Sequence, residues 1–126
     1  MKSLEFLTSL IIPLVMLLTG LIFMKWAPRS VNTLFGYRTR RSMQNDDTWV
    51  FANRLMAHIW IHWSLSILAP TIIVMFIVLY FFPDYLGQFS IGLTLVQLVL
   101  MIASIYPIEK ALKENFDEKG RRRNDG

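Results

Sequence analysis

Three apolar blocks, each long enough to cross a bilayer, limit what this chain can fold into. A helix needs about 20 mostly apolar residues to traverse a hydrocarbon core of about 30 Å. The first block runs from about Phe6 to Met24, and its only polar residues are Thr8, Ser9 and Thr19, whose hydroxyls can bond back to their own helix carbonyls. The second runs from about Ile59 to Phe82 and holds fourteen Leu, Ile, Val or Phe residues. At about −0.45 kcal/mol each near a helix centre, these supply about −6 kcal/mol of apparent insertion energy, enough to outweigh His62, two serines and a threonine. The third, from about Phe89 to Tyr106, is shorter and is expected to span with little tilt. The expectation is a single membrane domain over residues 1–126: all-α, with spans at 6–24, 59–82 and 89–106. A structured connection (25–58) and a tail (109–126) containing a short helix complete it.

The first block is not expected to be a cleaved signal peptide. Its apolar run exceeds the usual h-region, no A-x-A-like site follows, and Glu5 stands where a basic n-region belongs.

The charges agree with three spans. One basic residue, Lys2, precedes the first block, the connection holds six, the short turn Pro83–Gln88 none and the tail six. An odd number of spans places connection and tail together, so twelve of the thirteen Lys and Arg lie on one side. The positive-inside bias makes that side the cytoplasm, with the N-terminus outside. The formal net charge of +4 and pI near 9.7 follow from this placement and do not point to nucleic acid. Anionic lipid headgroups are the expected partners of Arg121-Arg122-Arg123. Residues Ile108–Phe116 are expected as a short amphipathic helix, and the end of the tail, from Gly120, as disordered. The absence of cysteine excludes disulfides and thiolate metal sites.

Trp26, Tyr37, Trp60, Trp63, Tyr80, Tyr85 and Tyr106 cluster near the expected boundaries, a depth that suits amphipathic rings. In the third span Ser90, Thr94, Gln97, Met101 and Ser104 recur at 4, 3, 4, 3 and share one face. That face is expected to meet the first two spans or a second copy of the chain through Ser90, Thr94, Gln97 and Ser104. No Asp, Glu, Lys or Arg falls inside a span, which lowers the expectation of a coupled transporter. Pro13 and Pro70 interrupt the first two spans and are expected to bend them or open a cavity.

The connection is longer than two antiparallel helices need. Its first half, to about Gln44, has turn-forming residues, with Gly36 suited to a positive φ or a close backbone approach. Arg38, Arg40 and Arg41 offer fixed donors for phosphate or carboxylate. The second half is expected to be helical: Asn45 suits an N-cap, with Asp46 and Asp47 in the first turn. Trp49, Asn53, Met56 and Trp60 share one face of this helix and Arg54, His58 and His62 another. A helix from Asp46 to Phe82 exceeds a bilayer's thickness, so a bend near His58 or an interfacial segment is expected. His58 and His62 have the spacing for a shared metal. With no HExxH, no cysteine and no carboxylate between them, an interfacial pair is expected instead, with no metal and no cofactor.

This connection resembles the SdpI family of bacterial membrane proteins. The residues that carry the resemblance are Asn32, Gly36-Tyr37-Arg38-Thr39, Ser42, Asn45, Trp49 and Ala52-Asn53. The resemblance implies a non-enzymatic immunity and signalling role in a bacterial cell membrane. The family's namesake protects its producer against a membrane-active toxin peptide and, when toxin is present, holds a transcriptional repressor at the membrane. It carries additional spans ahead of the matching region, whereas this chain has three. The working surface is expected on Asn32, Gly36, Tyr37, Arg38, Thr39, Arg40, Trp49 and Asn53. The partner is expected to be a toxin peptide or a cytoplasmic regulator. The alternatives are a lipid-headgroup or phosphate binder gripping through the arginines, and a small oligomeric channel or transporter.

Overall fold

The computed structural model describes residues 2–26, 29–32 and 36–123. Pro28, residues 33–35 of the turn-rich stretch, and Asp125 lie outside them. The order is α1 (Lys2–Trp26), α2 (Asp46–Phe81), a 3-10 turn (Pro83–Tyr85), α3 (Leu86–Ala103) and α4 (Ile105–Asn115). Among the described residues, three helical stretches are long and apolar enough to cross a membrane; the first and third contain an expected span whole, and the second ends at Phe81, one residue short of the expected end.

α1 packs along both α2 and α3. Its buried seam is Ser9, Pro13, Met16 and Gly20, again at 4, 3, 4. A Cβ on Gly20 would lie 2.7 Å from Ile61 Cγ1 and 3.0 Å from the Ala57 carbonyl oxygen. The α1 and α2 backbones therefore approach to a distance that only glycine permits, as small residues allow between membrane helices. The seam is small and partly polar, while the outer faces are large and apolar. Ile91, Leu95, Val99 and Ile102 of α3 are 57–64 % exposed, as is Ile73 of α2 at 59 %. In water so large an apolar surface is a liability; against acyl chains it is the solvated face.

The polar face of α3 turns inward. Ser90 Oγ donates to the Glu5 carbonyl at 2.8 Å, and Trp60 Nε1 donates to Ser104 Oγ at 3.0 Å. Gln97 Nε2 donates to the Ser9 carbonyl at 2.9 Å and to Thr71 Oγ1 at 3.0 Å. The Ser9 bond has a cause in α1. In a helix this carbonyl would accept from the N–H four residues on, which is Pro13 and has none. Pro13 frees an acceptor in the hydrocarbon, and Gln97 supplies its donor from another helix. Neither Pro13 nor Pro70 ends its helix. Ser90, Gln97 and Ser104 are all buried within the chain.

α2 is one helix of 36 residues, about 54 Å at 1.5 Å per residue. It runs unbroken past His58. Asn45 caps it in a reciprocal box: its side chain accepts from Thr48 N, while its own N–H donates to Thr48 Oγ1. Trp49, Asn53 and Met56 are buried along one side of the first turns, and Arg54, His58 and His62 are exposed on the other.

α3 has 18 residues, about 27 Å, close to the core thickness. Ser104 separates it from α4, which begins three residues earlier than expected. A second core forms beyond the spans, where Ile108 and Leu112 of α4 and Phe116 meet Tyr37, Ala52 and Met56. Tyr37 is thus a core residue and not a belt residue, whereas Trp26, Tyr80, Tyr85 and Tyr106 are 57–81 % exposed at the span ends.

The tail corrects an expectation. From Gly120 to Arg123 it is folded, not disordered. Gly120 adopts φ +81° and its N–H donates to the Asp117 carbonyl, while Arg121 N donates to Asp117 Oδ1. The backbone N–H groups of Arg121 and Lys119, both donating to Asp117 Oδ1, hold that carboxyl below its ordinary range. Arg122 lies over the rings of Phe51 and Phe116, and Asn45 Nδ2 donates to the Gly120 carbonyl at 2.7 Å. The arginine's cation–π contacts and the glycine's positive φ order a stretch whose composition alone reads as solvated.

Candidate functional site

The connection is built around Gly36. Its φ of +115° belongs to the region that side chains rarely enter. A Cβ there would also lie 2.7 Å from Trp49 Cζ2 and 2.9 Å from Asn53 Oδ1. The chain thus runs directly over the α2 face that carries Trp49 and Asn53. The next residue is held there, with Tyr37 N donating to Asn53 Oδ1 at 2.7 Å and Asn53 Nδ2 donating to the Trp49 carbonyl at 2.9 Å. Trp49 and Asn53 therefore fasten the loop to the helix.

Ser42 closes the next turn. Its hydroxyl donates to the Tyr37 carbonyl at 2.9 Å and accepts from Thr39 N at 2.8 Å. Thr48 Oγ1, the partner of Asn45 in the α2 capping box, donates to the Ser42 carbonyl at 3.0 Å. Loop and helix cap are one hydrogen-bonded unit, which is why Ser42 and Thr48 are fully buried polar residues.

Two hydroxyls from this loop converge on α4. Tyr37 Oη donates to Glu109 Oε2 at 2.5 Å and Thr39 Oγ1 donates to the same oxygen at 2.9 Å. Burial pushes the Tyr37 phenol well above its ordinary range, and the Glu109 hydrogen bond and charge add to the effect. The phenol is a fixed donor. Bonds between neutral donors and a charged acceptor are about twice as strong as neutral ones, so Glu109 works as a latch between the connection and α4.

The expected surface residues divide into two sets. Gly36, Tyr37, Thr39, Trp49 and Asn53 form the clamp. Arg38 and Arg40 are exposed and make no ion pair among the described residues. Asn32 is half-buried, with Nδ2 donating to the Ser30 carbonyl at 3.3 Å. The three arginines of the connection do not share one site. Arg38 edges an apolar groove of about 290 Å³ lined by Met56, Trp60, Met101, Ile102 and Ile105, among others. Arg40 and Arg41 face a polar cleft of about 430 Å³ with Gln44, Glu118 and Lys119. His58 and His62 are both exposed on α2, and no group of three or more potential metal ligands forms among the described residues.

Glu109, Met56 and Trp60 belong to this constellation but did not stand out as site residues. Glu109 lies in the tail among four other acids, and nothing local marks it as the partner of a tyrosine 72 positions away. The one signal was the amphipathic pattern of α4, whose buried side must find a surface to cover.

Comparisons with known proteins cover the connection and the spans that follow it. No solved structure matches the chain. It is 36 % identical over 89 residues to the uncharacterized protein YfhL of Bacillus subtilis (strain 168), covering 71 % of this chain and 67 % of that one. The profile of the SdpI/YfhL protein family matches residues 29–108, from the start of the connection through α3 into α4. With more than half its length matched and the loop–helix clamp inside the matched segment, the chain belongs to the SdpI/YfhL family.

Proposed function

We propose that the chain is a non-enzymatic membrane protein of the SdpI immunity and signalling type. It binds a membrane-active toxin peptide or a protein partner at its connection, in a bacterial cell membrane, with the N-terminus outside and the connection and tail in the cytoplasm. The observation that supports this reading best is the clamp. Gly36-Tyr37-Arg38-Thr39 is held from below by Asn53 and Ser42 and from the side by Glu109, yet its arginine points outward. A loop braced by three side chains and offering guanidiniums without an ion pair among the described residues is a preorganised recognition surface, because ordering it on binding costs little. Arg38 and Arg40 suit acidic groups on a partner.

Deleting the gene should raise sensitivity to membrane-active peptides, and restoring it should reverse the change. Unchanged sensitivity across a broad peptide panel contradicts the reading. Reporter fusions at either end test the orientation separately, with a cytoplasmic reporter expected to be active only at the C-terminus.

A further inference from the structure

The groove beside Arg38 has the form of a site for one amphiphile. Its floor is Met56 and Trp60 of α2, and its far wall is Met101, Ile102 and Ile105, where α3 gives way to α4. These residues stand at the end of the spans, and Ile102 and Ile105 are 62 % and 42 % exposed, so the groove opens sideways to the surrounding acyl chains. Its rim toward the connection carries Arg38, the single charged residue of the lining, exposed and without an ion pair among the described residues. Glu109, the carboxylate on which the connection closes, is bound by Tyr37 and Thr39. The Trp60 ring is fixed in place by its bond to Ser104. An apolar trough that begins at acyl-chain depth and ends under an unpaired guanidinium matches the two ends of an anionic phospholipid.

From this complementarity we infer that the groove holds a single anionic phospholipid, with an acyl chain against Met101, Ile102 and Ile105 and its phosphate on Arg38. A lipid so placed fills the gap between α2, α3 and the connection and couples the braced loop to the bilayer. The site does not depend on the immunity reading, since a chain that protects against no peptide would still bind the lipid.

The test uses the whole chain in mild detergent, offered equal amounts of dioleoylphosphatidylglycerol and dioleoylphosphatidylcholine and read by native mass spectrometry. Phosphatidylglycerol should be retained about fivefold over phosphatidylcholine, the factor for one arginine at an anionic lipid. Arg38→Gln should remove that preference and Arg38→Lys should keep most of it. Arg54→Gln, an exposed arginine away from the groove, should leave it unchanged. Ile102→Trp, which narrows the groove, should lower retention of both lipids, and millimolar inorganic phosphate should displace neither. Equal retention of the two lipids overturns the inference. So does an equal loss from Arg38→Gln and Arg54→Gln, which marks surface charge alone, or displacement by phosphate, which marks a headgroup-only anion site.

Discussion

The Tyr37 hydroxyl donates a 2.5 Å hydrogen bond to the Glu109 carboxylate, joining the connection to α4 across 72 positions of sequence. Thr39 adds a second donor to the same oxygen. Removing the acceptor should therefore cost more than removing one donor. Tyr37→Phe should lower stability by about 1.5 kcal/mol, the lower range for a hydrogen bond to a charged group, because Thr39 still holds Glu109. Glu109→Leu strands both hydroxyls and should cost about 3 kcal/mol. Unfolding midpoints in mixed micelles would show the order, and equal midpoints for the two variants would contradict it.

The same pair predicts a pH response. A tyrosine phenol ordinarily ionises near pH 10, and burial, reinforced by Glu109, raises Tyr37 above that value. A raised folded-state pKa contributes stability that is fully present below pH 10 and is lost as pH climbs beyond it. The tyrosinate absorbance of the wild type minus that of Tyr37→Phe should show no ionisation near pH 10 while the protein remains folded. It should appear only together with unfolding.

Two glycines should respond oppositely to the same substitution. Gly36→Ala meets a φ of +115° and a Cβ position 2.7 Å from Trp49, and should destabilise by about 2 kcal/mol or more. Gly92→Ala, in the middle of α3 with nothing within 4 Å, should be neutral or stabilise by up to about 1 kcal/mol. Thermal unfolding followed by circular dichroism compares them directly.

Pro13 and Gln97 should be energetically coupled. Gln97→Leu removes the donor from the Ser9 carbonyl and should cost about 1 kcal/mol, in the range of interhelical bonds in membranes. In a Pro13→Ala background the helix regains its own N–H for that carbonyl, so the cost of Gln97→Leu should shrink by half or more. A double-mutant cycle measures this interaction, and strict additivity would contradict it.

What could be read from the chain beforehand follows from how local each cause is. The spans are set by composition over about 20 residues, so all three helices were legible. The Asn45 cap, the backbone freedom of Gly36 and the shared helix face of Trp49 and Asn53 depend on a few neighbours, and these too were visible. Glu109 was not, because its partner is chosen by the direction α4 takes after Ser104, a property of tertiary packing. The folded tail was missed for a related reason. Arg122 is ordered by Phe51 and Phe116, two rings brought together from segments far apart. Pro13 and Gln97 were each conspicuous, but the bond that joins them depends on how α1 and α3 align.

The most direct measurement is growth under a membrane-active toxin peptide of cells expressing the wild type, Arg38→Gln or Asn53→Ala at matched membrane levels. A protein whose braced connection is the recognition surface should protect as wild type and lose protection in both variants. In Arg38→Gln the contact is gone, and in Asn53→Ala the loop that presents it is released. Protection by the wild type that both variants retain in full would contradict a working site on this connection.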